Sequence, residues 1–376
     1  MRSVGVEEEL LLVHARTGKP LALASAVLAA ADRSAGQRAR DDSADGAPEH
    51  AFEKELQKEQ VEFATKPVTE MGELGDEVTR CRAEAGRHAA SAGALVAALA
   101  TSPLPARPSL NTGKRYAWLG EQFGLTAQEQ LTCGCHVHVS VESDEEGIAV
   151  LDRIRPWLSV LTAMSANSPF WQGQDSKYAS YRSRVWNRLP SAGPMPVFGS
   201  ADRYHEQVRA MLDTGVLRDE AMIYFDARLS ATYPTVEVRV ADVCLDASTP
   251  VLLAALVRAL VETAARAWRE GDPPSRVDTD LLRLAAWRAG RSGLDGPLLH
   301  PETMREAPAA AVVQALYAHV QEALVESGDD ARVREGIAGL LDRGNGARIQ
   351  RELLRTHGSL TSVVIECARI TSDSRA

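Results

Sequence analysis

The sequence predicts an α+β fold built on an antiparallel sheet, and three observations carry that prediction. Alternating, strand-like segments lie in the first two-thirds of the chain, at residues 3–13, 134–142 and 232–242. Helical periodicity takes over from Pro250 and runs almost to the end. Helices do not join the strands at regular intervals, as a doubly wound parallel sheet requires. No internal repeat or interdomain linker is visible. Residues 1–376 therefore read as one domain, mostly sheet and site loops over 1–248 and mostly helical over 249–376.

The first strand reads Val4-Gly5-Val6-Glu7-Glu8-Glu9-Leu10-Leu11-Leu12-Val13, three carboxylates inside an apolar run. Alternate strand residues share a face, so Glu7 and Glu9 point together and Glu8 points away. A buried ionised carboxylate is costly unless it is paired or holds a metal. Two parallel carboxylates suit a hard cation such as Mg²⁺. An edge strand with one solvated face explains the same pattern.

Residues 32–50 are rich in Asp, Arg, Gly and Ser and read as a mobile loop. Residues 51–66 read as extended. Glu55 and Glu62 lie seven apart there, so strict alternation puts them on opposite faces unless a bulge or turn intervenes. A helix is expected from a Thr69 N-cap to about Ala98. The prolines of 101–108 dictate a turn or extended segment.

In the strand 134–142, His136, His138 and Ser140 share one face, while Cys135, Val137, Val139 and Val141 take the other. A His-x-His pair suits a metal or a polar sheet face. Cys133 and Cys135 fall on the face opposite the histidines, with no second ligand pair at finger spacing, which argues against zinc. A helix over 145–166 and a long ordered loop over 167–200 follow. The stretch 170–188 of that loop interleaves aromatics with Arg182, Arg184 and Arg188, which suits an anionic ligand and a lid. In the strand 232–242, Glu237 and Arg239 share a face and could hold a metal and an anion, or form a surface ion pair. Helix breaks are expected near 272–277, 292–300 and 343–345.

Composition narrows the partners. A net charge of −9 argues against nucleic acid and anionic membrane. Five cysteines without framework spacing read as reduced thiols in a cytoplasm. The first strand starts too early for a signal peptide. The apolar run Val251–Val261 is interrupted by Arg258 and is too short to span a bilayer. No Gly-rich phosphate motif is present, so any ATP phosphates would be held by metals and arginines. The apolar helical faces of the last third could pair subunits into a homo-oligomer.

Five segments in order resemble the glutamate–cysteine ligase type 2 family, the bacterial carboxylate–amine ligases. They are Gly5–Glu9, Gln60–Thr65, Gly134–His138, Asn167–Phe170 with Tyr181–Trp186, and Glu237–Asp242. The resemblance implies a glutamine synthetase-like fold, a curved antiparallel sheet forming a funnel with helices outside. It implies ATP and Mg²⁺ (or Mn²⁺) as cofactors, with a glutamate-like acid and an amine, nominally cysteine, as small-molecule substrates. ATP would phosphorylate the side-chain carboxylate, and the amine would displace phosphate from the acyl phosphate. Glu7, Glu9, Glu55, Glu62, His136 and Glu237 are the implied metal ligands. Gln130, Arg182 and Arg239 would bind substrate or nucleotide, and Arg182, Arg188 and Arg239 would serve catalysis. Two other readings are a non-catalytic metabolite binder and a metal-dependent hydrolase or oxygenase using His136 and His138.

Overall fold

The computed structural model describes residues 1–41 and 52–373. Seven strands form the main sheet: β1 (Val4–Val13), β2 (Phe52–Lys54), β3 (Gln60–Ala64), β4 (Leu95–Ala97), β5 (Gly134–Ser140), β6 (Ala227–Leu229) and β7 (Thr235–Asp242). Their order is β2-β3-β1-β5-β7-β6, and every pairing is antiparallel. β4 joins β1 at Leu11–Val13, beyond the stretch Val4–Glu8 that pairs with β5. β1 is therefore an interior strand, not an edge.

Parity along the strands places the core. Val4 and Val6, Val137 and Val139, and Val236 and Val238 pack with the helices Asp144–Ile154 and Ser248–Arg269. Further along β1, Leu10 and Leu12 join a second cluster with Phe63 and with Cys81 and Ala85 of the helix Met71–Ser91. Leu11 and Val13, on the Glu7 face, are also buried, in the cluster that includes Val363 and Val364 of the C-terminal helix Leu360–Asp373. That end of the Glu7 face is closed, and the Glu7–Glu9 end is open.

Glu8 has no solvated face. It is fully buried and takes a two-pronged ion pair from Arg82, at 2.7 and 2.8 Å. Arg82 also donates to the Cys244 and Leu245 carbonyls, at 2.7 and 3.1 Å.

Several expected boundaries move for local reasons. Residues 51–66 form a hairpin, because β2 and β3 pair across a turn that includes Gln57 and Lys58. The helix expected over 69–98 ends at Ser91, where Gly93 adopts a positive φ, and the chain re-enters the sheet as β4. Its N-cap is Glu70, without a side-chain cap bond, rather than Thr69. The helix expected over 145–166 divides at Pro156 into Asp144–Ile154, a 3-10 turn and Leu158–Ser165. Ser143 caps its start by accepting from the Glu146 amide. Part of the expected loop 32–50 is the end of the helix Ala24–Asp41, and its remainder lies outside the described residues. The helices Lys114–Phe123 and Ala201–Asp213 were not anticipated.

The last third is helical, with the expected breaks, two further ones at Gly328 and Gly358, whose left-handed φ ends a helix, and a small hairpin at Leu298–Leu299 and Glu306–Ala307. The helix Ser248–Arg269 extends well past the apolar run and is long and apolar enough to cross a membrane. It is nevertheless a core helix, mostly buried, and its Arg258 pairs with Asp329. All five cysteines are free and buried.

Candidate active site

The open face of the sheet walls a cavity of about 540 Å³. Adjacent strands β3, β1, β5 and β7 each send side chains into it, which is how residues far apart in sequence meet. Glu7 and Glu9 come from β1, Glu62 from β3, His136 and His138 from β5, and Glu237 and Arg239 from β7. Glu55, just past β2, joins them because the hairpin folds that edge back over β3. Gln130 lies on the wall, buried, with its side-chain oxygen unpartnered.

Glu7 is the hub. Its carboxylate lies 3.2 Å from His136 Nδ1 and 3.2 Å from His138 Nε2. Burial would raise the Glu7 pKa, but the hydrogen bonds from both histidines hold it well below the usual carboxylate range. Burial and the nearby Arg239 charge push His136 down to about 4, so its imidazole is neutral and free to ligate. His138 goes the other way. Burial pulls it down, yet its contact with Glu7 raises it overall. The second nitrogen of His138 lies 3.0 Å from Thr235 Oγ1. Its Nδ1 is held by Thr235, and its Nε2 is turned to the Glu7 carboxylate.

Two sets of three ligand atoms converge. Glu7, His136 and Glu237 form one, Glu9, Glu62 and His136 the other, each with its atoms within 4.8 Å of one another. His136 Nε2 is buried without a hydrogen-bond partner. Burial, then the Glu55 charge, pushes Glu9 up to about 8. The same two causes raise Glu62 well above its ordinary value. Crowded carboxylates and an orphaned neutral imidazole fit a hard divalent cation such as Mg²⁺ or Mn²⁺.

A β-bulge sets the opposite wall. Between Cys135 and Val137 on β5, the register of β7 slips by one residue, opposite Arg239 and Val240. Arg239 stays in the cavity against Glu237, and the parity flips beyond it. Asp242 then points to the 167–188 segment, accepting from the Asn167 amide at 2.8 Å and from the Ser168 and Ser180 hydroxyls at 2.7 and 2.8 Å. Those bonds fasten the segment as a packed wall, so it is not the free lid expected from its composition. It contributes Trp186, whose ring lies 5.0 Å from that of Tyr224. The Arg182 and Arg239 guanidiniums lie 5.6 and 5.8 Å from the Trp186 ring centre.

Arg182 does not line the cavity. It is buried behind the wall, 4.0 Å from Asp242, and its charge acts on Glu9. Gly134 leaves room for it, because a Cβ there would collide with the guanidinium. Arg188 is a correction. It sits outside the cavity lining and pairs with Glu129 at 2.8 Å, since the helix Arg182–Trp186 ends before it and turns it outward. Sequence reasoning missed Arg228, Tyr224 and Arg115, which all line the cavity. Their only signal is cross-strand register or tertiary packing.

The family described as "Glutamate-cysteine ligase family 2(GCS2)" matches residues 3–366. The chain belongs to the glutamate–cysteine ligase family 2. Two similar relatives from Streptomyces coelicolor and Streptomyces avermitilis are 61% and 60% identical over 371 residues, covering 99% of each chain. The first is described as "Putative glutamate--cysteine ligase 2". Among solved structures, a Francisella tularensis glutamate–cysteine ligase in complex with AMP aligns with a TM-score of 0.71 at 14% identity, over 99% of this chain and 88% of that one. A Pasteurella multocida bifunctional glutathione synthetase aligns with a TM-score of 0.71 at 15% identity, over 99% and 52%. At those identities the likeness concerns the fold. As a family 2 member, the chain is an enzyme of the glutamate–cysteine ligase type.

Proposed function

We propose that this family 2 ligase joins the side-chain carboxylate of glutamate to an amine, consuming ATP through an acyl phosphate. The observation that carries the reading is the pair of carboxylate–imidazole triads sharing His136, with Arg239 beside them in one cavity. Phosphoryl transfer needs charge neutralisation and positioning more than covalent chemistry from the protein. Glu7, Glu9, Glu62, His136 and Glu237 are the residues suited to hold the cations, with Glu55 adding charge beside them. Bound there, Mg²⁺ or Mn²⁺ would neutralise the phosphate oxygens as charge shifts. Arg239 supplies a fixed positive charge for the acyl phosphate. Gln130, with a free buried oxygen, offers a polar contact to substrate or nucleotide. Arg182 supports Arg239 from behind through Trp186 rather than touching substrate. Water must be kept from the acyl phosphate during turnover, or it would hydrolyse. The buried free thiols suit a reducing, cytoplasmic setting.

The test is ADP release with glutamate and a panel of amino acids and amines, with product masses measured. Amine-dependent ADP release and a product of the condensed mass are expected. Cysteine is the nominal acceptor. Another preferred amine would keep the mechanism and change the name. Nucleotide binding without amine- or acid-stimulated ADP release would leave a metabolite-binding protein instead.

A pH effect follows from the crowded acids. Their raised folded values favour the protonated, folded protein below the ordinary carboxylate pKa of 4.5, and that stability is lost as pH rises, for Glu9 toward about 8. A cation replaces the lost protons. Mg²⁺ is therefore expected to raise the melting temperature more at pH 8 than at pH 6, by differential scanning fluorimetry. Equal shifts at both pH values would contradict the assignment of Glu9 and Glu62.

A further inference from the structure

Glu237 has a cross-strand partner to which no motif pointed. In the β6–β7 register, Arg228 stands opposite Glu237. Its Nε donates to Glu237 Oε2 at 2.7 Å. The same guanidinium reaches the other way, where Nη1 donates to the Ala221 and Ile223 carbonyls at 3.1 and 3.0 Å. Ala221 lies in the 3-10 turn Glu220–Met222, which leads into Tyr224, and both Ala221 and Tyr224 line the cavity. Arg228 thus ties Glu237 to the cavity wall. The Arg228 and Glu237 side chains are 14% and 2% exposed, so water screens the link weakly. A planar guanidinium with acceptors on two sides is held in one orientation.

The two arginines on Glu237 are not equivalent. Arg239 contacts Oε1, the oxygen that lies 3.9 Å from His136 Nδ1. Oε1 therefore faces the triad, and Oε2 faces Arg228. Burial would raise the Glu237 carboxyl, but Arg239 and Arg228 hold it down at about 2, so it stays ionised.

We propose that Arg228 is a positioning residue. By holding Oε2 it presents Oε1 to Glu7 and His136, and so sets the affinity of that triad for a divalent cation. Its guanidinium acts on the cation through Glu237, to which it is bonded. This rests on the metal-dependent reading above. Residues that orient metal ligands typically change metal affinity by about 10–100-fold when removed.

The test is a Mn²⁺ titration of the full chain, without nucleotide or amino acid, in which free Mn²⁺ is read by electron paramagnetic resonance. Wild type should bind. Arg228→Gln should bind at least about 10-fold more weakly. Arg228→Lys should recover part of the loss, because an ammonium restores the charge but not the two-sided fork. In turnover, the apparent KM for Mg²⁺ should rise by a larger factor than kcat at saturating Mg²⁺ falls, a split that a merely unstable variant would not produce. If Arg228→Gln is unfolded by circular dichroism, Arg228→Lys decides, and must itself bind more weakly than wild type with its fold intact. Wild-type Mn²⁺ affinity in a folded variant overturns the role of Arg228 alone. A wild type that binds no Mn²⁺ overturns the metal reading and this proposal with it.

Discussion

Glu7→Gln is expected to reduce glutamate-dependent ADP release by at least about 10²–10³-fold. The amide keeps the size of the side chain but removes the charge that draws His136, His138 and a cation together. Glu7 sits at the open end of the sheet, with its side chain 26% exposed. It is not the sole partner of a buried guanidinium, so the fold should survive with a normal far-ultraviolet spectrum. Glu237→Gln should act in the same direction on turnover, but it would also leave Arg228 and Arg239 facing a neutral amide. Steady-state ADP release at saturating Mg²⁺ measures both variants. Wild-type turnover in folded Glu7→Gln would remove the cation assignment.

The neighbouring residue should behave in the opposite way. Glu8→Gln is expected to cost about 3–5 kcal/mol of stability, the usual penalty for removing one partner of a buried ion pair. Arg82 would be left as an uncompensated buried charge, and its side chain is only 1% exposed. Its bonds to the Cys244 and Leu245 carbonyls give it no easy route to solvent. Urea unfolding monitored by circular dichroism would show the midpoint falling. At temperatures where the variant remains folded, turnover should stay close to wild type, because Glu8 faces away from the cavity. A double variant, Glu8→Leu with Arg82→Met, should be less destabilised than Glu8→Gln, since it removes both charges at once. A Glu8→Gln midpoint equal to wild type would show that the ion pair carries no net stability.

The contrast between Glu7 and Glu8 marks how much the sequence revealed. Alternation along β1 was enough to pair Glu7 with Glu9 and to turn Glu8 away. It did not show that Glu8 faces a buried arginine, because Arg82 lies on a helix seventy-four residues later in the chain. The same parity argument grouped His136 with His138 and Glu237 with Arg239. It missed the bulge opposite His136, which has no single-residue signature, and the bulge is what sends Asp242 to the 167–188 wall. Glu55 and Glu62 looked incompatible under strict alternation. The β2–β3 turn resolves them, since a hairpin can return both carboxylates to one cavity. Arg188 shared the composition of the loop arginines, but the end of a five-residue helix turned it outward to Glu129.

By itself, the sequence determined the fold class, the antiparallel character of the sheet and the facing of most acidic and imidazole groups. Those features follow from periodicity, which is a local property of the backbone. Only the tertiary structure decided which of those groups meet. It gave the shared use of His136 by two triads, the hold of Arg228 on Glu237, the burial of Glu8 against Arg82 and the withdrawal of Arg182 behind the wall. Each of these depends on strand register or on helices docking across the sheet. Register and docking are settled by the burial of the whole apolar face at once, and no short window of residues contains that information.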